Sequence, residues 1–366
     1  MRGFTSLAPL VSLLLACGGA PSTPTGTDTD ATGGTTGAPA ATSTGEAPTT
    51  TGDGTTTDAP TGGTTDVEPT STTTDPTTGG TTGAIDPPAS LDDVVDGALE
   101  LIAEGHMFTE GPIWSPEGFL LYSDIPANTI FQWTEGEGAT PFITPSGNSN
   151  GLAFDAMGRL LAAEHGNRRL SRRVIGQEAE TIVDQFEGKK LNSPNDMALR
   201  SDGTIYFTDP PYGIMPNQQE QPFQGVFRVD PQGQISLVAD DFDRPNGIAL
   251  SPDETKLYVA DTAQEHVRVF DVQPDGSPVG GAVFIDLASD LPGDPDGMAV
   301  DVFGDLFVSG GGGVRVVTPA GELLGTIEVP EAVTNCKFGD ADGRTLYITA
   351  RPNVYRIRLK VTGAGF

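Results

Sequence analysis

Apolar residues along the chain fall into short runs, paired across a tight turn, and the pairing recurs. In LNSPNDMALRSDGTIYFTDPPYG (Leu191 to Gly213), the run Met197–Leu199 leads through Asp202-Gly203 into Ile205–Phe207, which closes on Asp209. Two apolar runs joined by Asp-Gly predict a β-hairpin. The same unit is written as TEGPIWSPEGFLLYSD from Thr109, NGLAFDAMGRLLAAE from Asn150, PNDMALRSDGTIYFTD from Pro194, PNGIALSPDETKLYVAD from Pro245, PDGMAVDVFGDLFVSG from Pro295 and TNCKFGDADGRTLYITA from Thr334. Aligned on the polar residue ahead of each first strand, the register positions are Glu110, Asn150, Asn195, Asn246, Asp296 and Asn335. Their spacing, roughly 40 to 50 residues, is that of one four-stranded propeller blade.

The pattern therefore predicts an all-β, six-bladed β-propeller of four-stranded antiparallel blades over residues 89–366. In the unit starting at Asn150, Gly151–Phe154 is the innermost strand, Leu160–Ala163 the second, Leu170–Ile175 the third and Thr181–Val183 the fourth. After the sixth hairpin only Asn353–Leu359 remains as an outer strand. Ala98–Ile102, just ahead of the first hairpin, is the expected fourth strand of the last blade, closing the ring without an open sheet edge.

What precedes the repeats has a different character. Residues 1–17 carry Arg2, a short apolar stretch and Leu14-Leu-Ala-Cys17, which resembles a bacterial lipoprotein signal. Residues 18–88 are almost wholly Thr, Gly, Pro, Ala, Ser and Asp, with no apolar periodicity to offset the entropy of ordering, and are expected to form a disordered tether. The expectation is an exported, monomeric domain held by a lipid on Cys17 to a bacterial membrane, facing the periplasm or the exterior. The balance of 20 basic against 50 acidic residues, net −30, speaks against nucleic acid or anionic lipid as a partner of the folded part. It suits a divalent cation.

In a propeller the innermost strands line the central channel, so the six register residues gather at one end of it. Glu, Asn, Asn, Asn, Asp and Asn all offer a side-chain oxygen, the donor set of a hard cation; Ca²⁺ fits best, with Zn²⁺, Mg²⁺ and Mn²⁺ as less well matched options. Asn and Asp ahead of a strand also cap turns, and for Asn150 and Asn335 that bland role has equal weight. The turns between second and third strands lie at the same end and should wall a pocket, which makes His165, Asp209 and Tyr212 candidate substrate contacts.

These segments resemble the SMP-30/gluconolactonase/LRE-like family, in its bacterial gluconolactonase-type members: FTEGPIW from Phe108, NGLAFD with AEHGNRR from Asn150 to Arg169, LNSPND with YFTDPPYG from Leu191 to Gly213, RPNGIALSPD from Arg244 and PDGMAVD from Pro295. The resemblance implies a channel-bound divalent ion, commonly Ca²⁺, and hydrolysis of sugar lactones. Carried over by position, it implies Glu110, Asn246 and Asp296 as metal ligands, with Asn195 a fourth ligand or a substrate contact. Asn150, His165, Asn195, Asp209 and Tyr212 are then the substrate-binding set. Asp296 is the implied catalytic base; the alternative is water acidified on the ion.

The G-x-S-x-G match at Gly147–Gly151 sits at a hairpin rather than a strand-to-helix turn, so Ser149 reads as a loop hydroxyl. Two further functions stay open: phosphotriester or fluorophosphate hydrolysis, and a tethered propeller that binds a ligand on a structural Ca²⁺ without catalysis.

Overall fold

A computed structural model describes residues 86–365; the expected leader at 1–17 and nearly all of the tether at 18–88 lie outside the described residues. Six four-stranded antiparallel sheets follow one another around an axis. Their innermost strands are Thr109–Trp114, Ser149–Phe154, Met197–Leu199, Pro245–Leu250, Met298–Val300 and Val333–Gly339. In blades 1 to 5 each sheet is written consecutively outward from that strand. The sixth differs, because its outermost strand is Glu100–Ala103, paired antiparallel with Asn353–Arg358. Thr109 Oγ1 also donates to the Asn353 carbonyl (2.9 Å) and Thr334 Oγ1 to the Thr109 carbonyl (2.8 Å), tying the first blade to the last.

The core lies between blades. Second strands such as Leu120–Asp124, Ile205–Asp209 and Thr345–Ala350 are buried along their whole length, because each is covered on both faces by neighbouring sheets. Tyr122, Tyr206 and Tyr347 are fully buried there, and each phenol finds a partner: His106 Nε2 at 2.7 Å, the Gly276 carbonyl at 2.6 Å and Asp340 at 2.8 Å. A large apolar ring with one satisfied polar tip suits such a seam. The basic run Arg168 to Arg173 is less solvated than an exposed face would be, since Arg169 pairs with the buried Glu164 at 2.8 Å.

The hairpin turn of blade 5 puts two carboxyl groups into this interior. Asp301 and Asp305 occupy the positions at which Asp155 and Arg159 form an ion pair (2.7 Å) in blade 2. Both are buried, and each has one oxygen without a hydrogen-bond partner. Burial, and then the charge of Asp305, pushes Asp301 up to about 7; burial alone pushes Asp305 up to about 6. Raised folded-state values contribute stability that is complete below the ordinary value of 3.8 and is lost as pH rises through 6 to 7. Asp305→Asn is therefore expected to stabilise the domain by about 1–2 kcal/mol near pH 8 and by much less near pH 5. Calorimetric Tm values at the two pH values check this, and an equal effect at both would refute it.

Candidate active site

The site is built by how closely the six innermost strands approach at one mouth of the channel. Gly111, Gly151, Gly247 and Gly297 each follow a register residue directly. A Cβ on Gly247 would overlap the Asp296 carbonyl oxygen, and one on Gly111, whose φ is +51°, would overlap the Asn150 carbonyl oxygen. Absence of a side chain is what lets one blade's register residue press against the next and draws the ring tight. Hydroxyls on second strands hold the same seam: Ser123 Oγ donates to the Asn150 carbonyl (2.8 Å) and Thr208 Oγ1 to the Asn246 carbonyl (2.7 Å).

A cavity of about 450 Å³ opens at this mouth. Glu110, Asn150, Asn195, Asn246 and Asp296 all line it, as do His165 and Tyr212. Asn150 Nδ2 donates to Asn195 Oδ1 at 2.9 Å and stands 3.4 Å from His165 Nε2, while Asn246 Nδ2 donates to Thr262 Oγ1 at 2.9 Å. Asn335 stays beside the ring rather than in the cavity lining: its Oδ1 accepts the Cys336 N–H and its Nδ2 donates to Asp196 Oδ2 at 3.4 Å.

Asp209 corrects the expected substrate set. It is fully buried away from the cavity and accepts the Asn192 N–H at 2.7 Å. Asp124 and Asp261 end their second strands in the same way, Asp124 accepting from Met107 and Phe108 and Asp261 from Asp243 and Arg244. Asp209 is thus one of three equivalent aspartates that fasten the segment entering an innermost strand. Their repetition in YSD, FTD and VAD was a sequence signal for a scaffold role. Ser149 is buried in the strand Ser149–Phe154, with Oγ 2.9 Å from Ser123 Oγ, and is no exposed nucleophile.

Thr262 and Arg351 lie in turns expected to wall the pocket, though neither was singled out as a contact, while Arg244 and Asp196 were missed. Thr262, Arg244 and Arg351 line the cavity from loops. Asp196 replaces, in blade 3, the glycine found after the register residue in blades 1, 2, 4 and 5, and its carboxylate is buried close enough to raise the pKa of Glu110. That departure from the repeat was visible in the aligned units.

The electrostatics decide what the ring can hold. Burial pushes Glu110 up to about 8, against the Gly111 N–H that donates to its Oε2 at 3.0 Å and with the charge of Asp196 adding to the rise. Asp296 keeps part of its surface open to the cavity but is otherwise enclosed, and burial followed by the charge of Glu110 lifts it well above the carboxylate range. Oδ1 of Asn150 and Oδ1 of Asn246 are buried without a donor. Spare amide oxygens beside two crowded, desolvated carboxylates fit a hard divalent cation, which would supply the missing positive charge to all of them. Among the described residues no three His, Cys, Asp or Glu side chains could hold a metal by themselves, so amide oxygens are required. His165 is different in kind: burial pushes it down to about 4, leaving a neutral imidazole at physiological pH.

Residues 108–351 match the family described as the SMP-30/Gluconolactonase/LRE-like region. The chain belongs to that family. Within it, a gluconolactonase of Zymomonas mobilis is 37% identical over 75% of this chain and 85% of its own length. A solved gluconolactonase from Xanthomonas campestris is 35% identical, with a TM-score of 0.68, covering 75% of this chain and 95% of that one. A calcium-binding regucalcin from Agrobacterium tumefaciens, 21% identical with a TM-score of 0.61 over 74% of this chain and 95% of that one, shares the fold.

Proposed function

We propose that the protein is a divalent-cation-dependent hydrolase of small, sugar-type lactones. One observation carries the reading: Glu110, Asn246 and Asp296, each from a different blade, face one cavity beside amide oxygens that have no other partner. The gluconolactonase relatives supply the substrate class, and the calcium-binding relative supports a cation of that type.

Glu110, Asn246 and Asp296 would hold the cation, with Asn195 or Asn150 as a further oxygen donor. When bound, a cation of this kind polarises the lactone carbonyl as a Lewis acid. The chain's own groups do the rest. No described residue donates a hydrogen bond to the Asp296 carboxylate, so once a cation's charge keeps that carboxylate ionised a lone pair is left to take a proton from attacking water. Neutral His165 and Asn150 present hydrogen-bonding edges to the hydroxyls of a polyol ring, while Tyr212 forms part of the cavity wall. Leu14 to Cys17, outside the described residues, supports export and a lipid tether.

The test is acid release from glucono-δ-lactone and related aldonolactones by the full chain, with and without Ca²⁺, Mg²⁺, Mn²⁺ or Zn²⁺. Opening well above the spontaneous rate, dependent on added cation, is the expected result. A folded protein that opens no lactone under any of these ions refutes the reading, and cleavage of a phosphotriester instead would assign the cavity to that chemistry.

A further inference from the structure

Two arginines at the cavity take no part in the mechanism just described. Arg244 stands immediately ahead of the innermost strand of blade 4, and Arg351 opens the turn after Thr345–Ala350 in blade 6. They thus flank blade 5, which carries Asp296. Both line the cavity and both are exposed. Most other arginines of the domain are committed: Arg169, Arg268, Arg356 and Arg358 each pair with a carboxylate. Neither cavity arginine forms such a pair among the described residues.

Each is instead laid against an aromatic ring of an adjacent blade. The guanidinium carbon of Arg351 is 4.9 Å from the centre of the Phe108 ring, and that of Arg244 is 5.4 Å from the centre of the Tyr212 ring. A guanidinium resting on a ring is held in place while its N–H donors, which lie in its own plane, remain available. That arrangement accepts the paired oxygens of a carboxylate, phosphate or sulfonate. Simple compensation of the buried acids is the rival role. An arginine serving it would touch a carboxylate, as Arg169 touches Glu164 at 2.8 Å; Arg351 acts on Glu110 and Asp296 only from a distance, and Arg244 faces Tyr212. On a chain of net charge −30, an anionic substrate gains nothing from the overall field and needs local cations to seat it.

We propose that Arg244 and Arg351 form an anion-reading subsite, selecting lactones that carry a carboxylate or phosphate remote from the reacting carbonyl. This rests on the lactone-hydrolase reading and adds the substrate class. The selection is exercised at the rim, and the carbonyl is directed inward to Asp296.

The experiment compares kcat/KM of the cation-supplied protein for three six-carbon lactones: a neutral aldonolactone, its C6-carboxylate and its C6-phosphate. The wild type is expected to prefer a charged lactone, and the two charged arms show which anion is read. Arg244→Gln and Arg351→Gln should each reduce that preference roughly tenfold or more, through KM rather than kcat, as loss of a charge-assisted hydrogen bond requires. Lysine at either position should restore part of it, and added salt should erode it in the wild type. A preference for the neutral lactone overturns the proposal, as does a charge preference that survives both substitutions or losses equal for all three substrates. If the neutral lactone is opened without charge discrimination, only this subsite is lost; if no lactone is opened, the underlying reading falls with it.

Discussion

Asp296→Asn is expected to lower kcat/KM for lactone opening about a thousandfold or more while the domain stays folded, the range of a lost general base. The substitution keeps the size and one oxygen of the side chain but removes the lone pair that takes the proton. It also removes one of two carboxylates that repel each other: burial and the charge of Glu110 both hold Asp296 well above its ordinary value. The metal-free variant should accordingly melt at or above the wild-type Tm, which separates a lost base from a damaged fold. Steady-state kinetics with saturating cation, beside thermal unfolding in chelator, check both halves. Near wild-type turnover would end the assignment of Asp296, and a marked fall in metal-free Tm would show that its charge serves the structure.

Chelation is expected to have the second large effect, abolishing turnover and lowering the Tm together, with both restored by Ca²⁺. A cation that binds only the folded state at about 100 times its Kd contributes about 2.7 kcal/mol of stability. The pH dependence carries the sign. Glu110 is raised to about 8 by burial, so in the chelated protein its contribution is present in full below its ordinary value of 4.5 and is lost as pH rises through 8. Chelated protein should become less stable between about pH 6.5 and 8 and level off above that on account of Glu110, whereas the increment conferred by the cation should grow over the same interval as protons cease to compete for its carboxylate. Asp209 and Asp301, each raised to about 7, drift in the same direction with or without cation, so the difference between the two melting curves isolates the ring. His165, pushed down to about 4, disfavours the folded state only below about pH 6.5 and leaves this interval clear. An increment that is flat in pH would place the cation away from Glu110.

How far each part was legible follows from the range of the interactions that determine it. The hairpins of LNSPNDMALRSDGTIYFTD and its five relatives were readable because alternation along a strand and an Asp-Gly turn are local chemistry. The ring followed from them, since a repeated register puts Glu110, Asn246 and Asp296 at one level of one channel. Asp209 and Tyr212, three residues apart in the same turn, could not be sorted in that way. The first turns inward to fasten Asn192 and the second faces the cavity, a distinction made by the path of the loop. Asp196 was overlooked because it sits at a glycine position, whose meaning emerges only when Gly111 and Gly247 are seen pressed against the next blade.

The sequence by itself determined the number of blades, the strand that each unit sends to the axis and the oxygen-bearing residue at its entrance, because these repeat with a period set by backbone geometry. Only the tertiary structure decided which polar groups share the cavity, which amide oxygens are left without donors, and that Arg244 and Arg351 stand on rings borrowed from neighbouring blades. Those outcomes depend on contacts between units far apart in the chain, where no local pattern records distance.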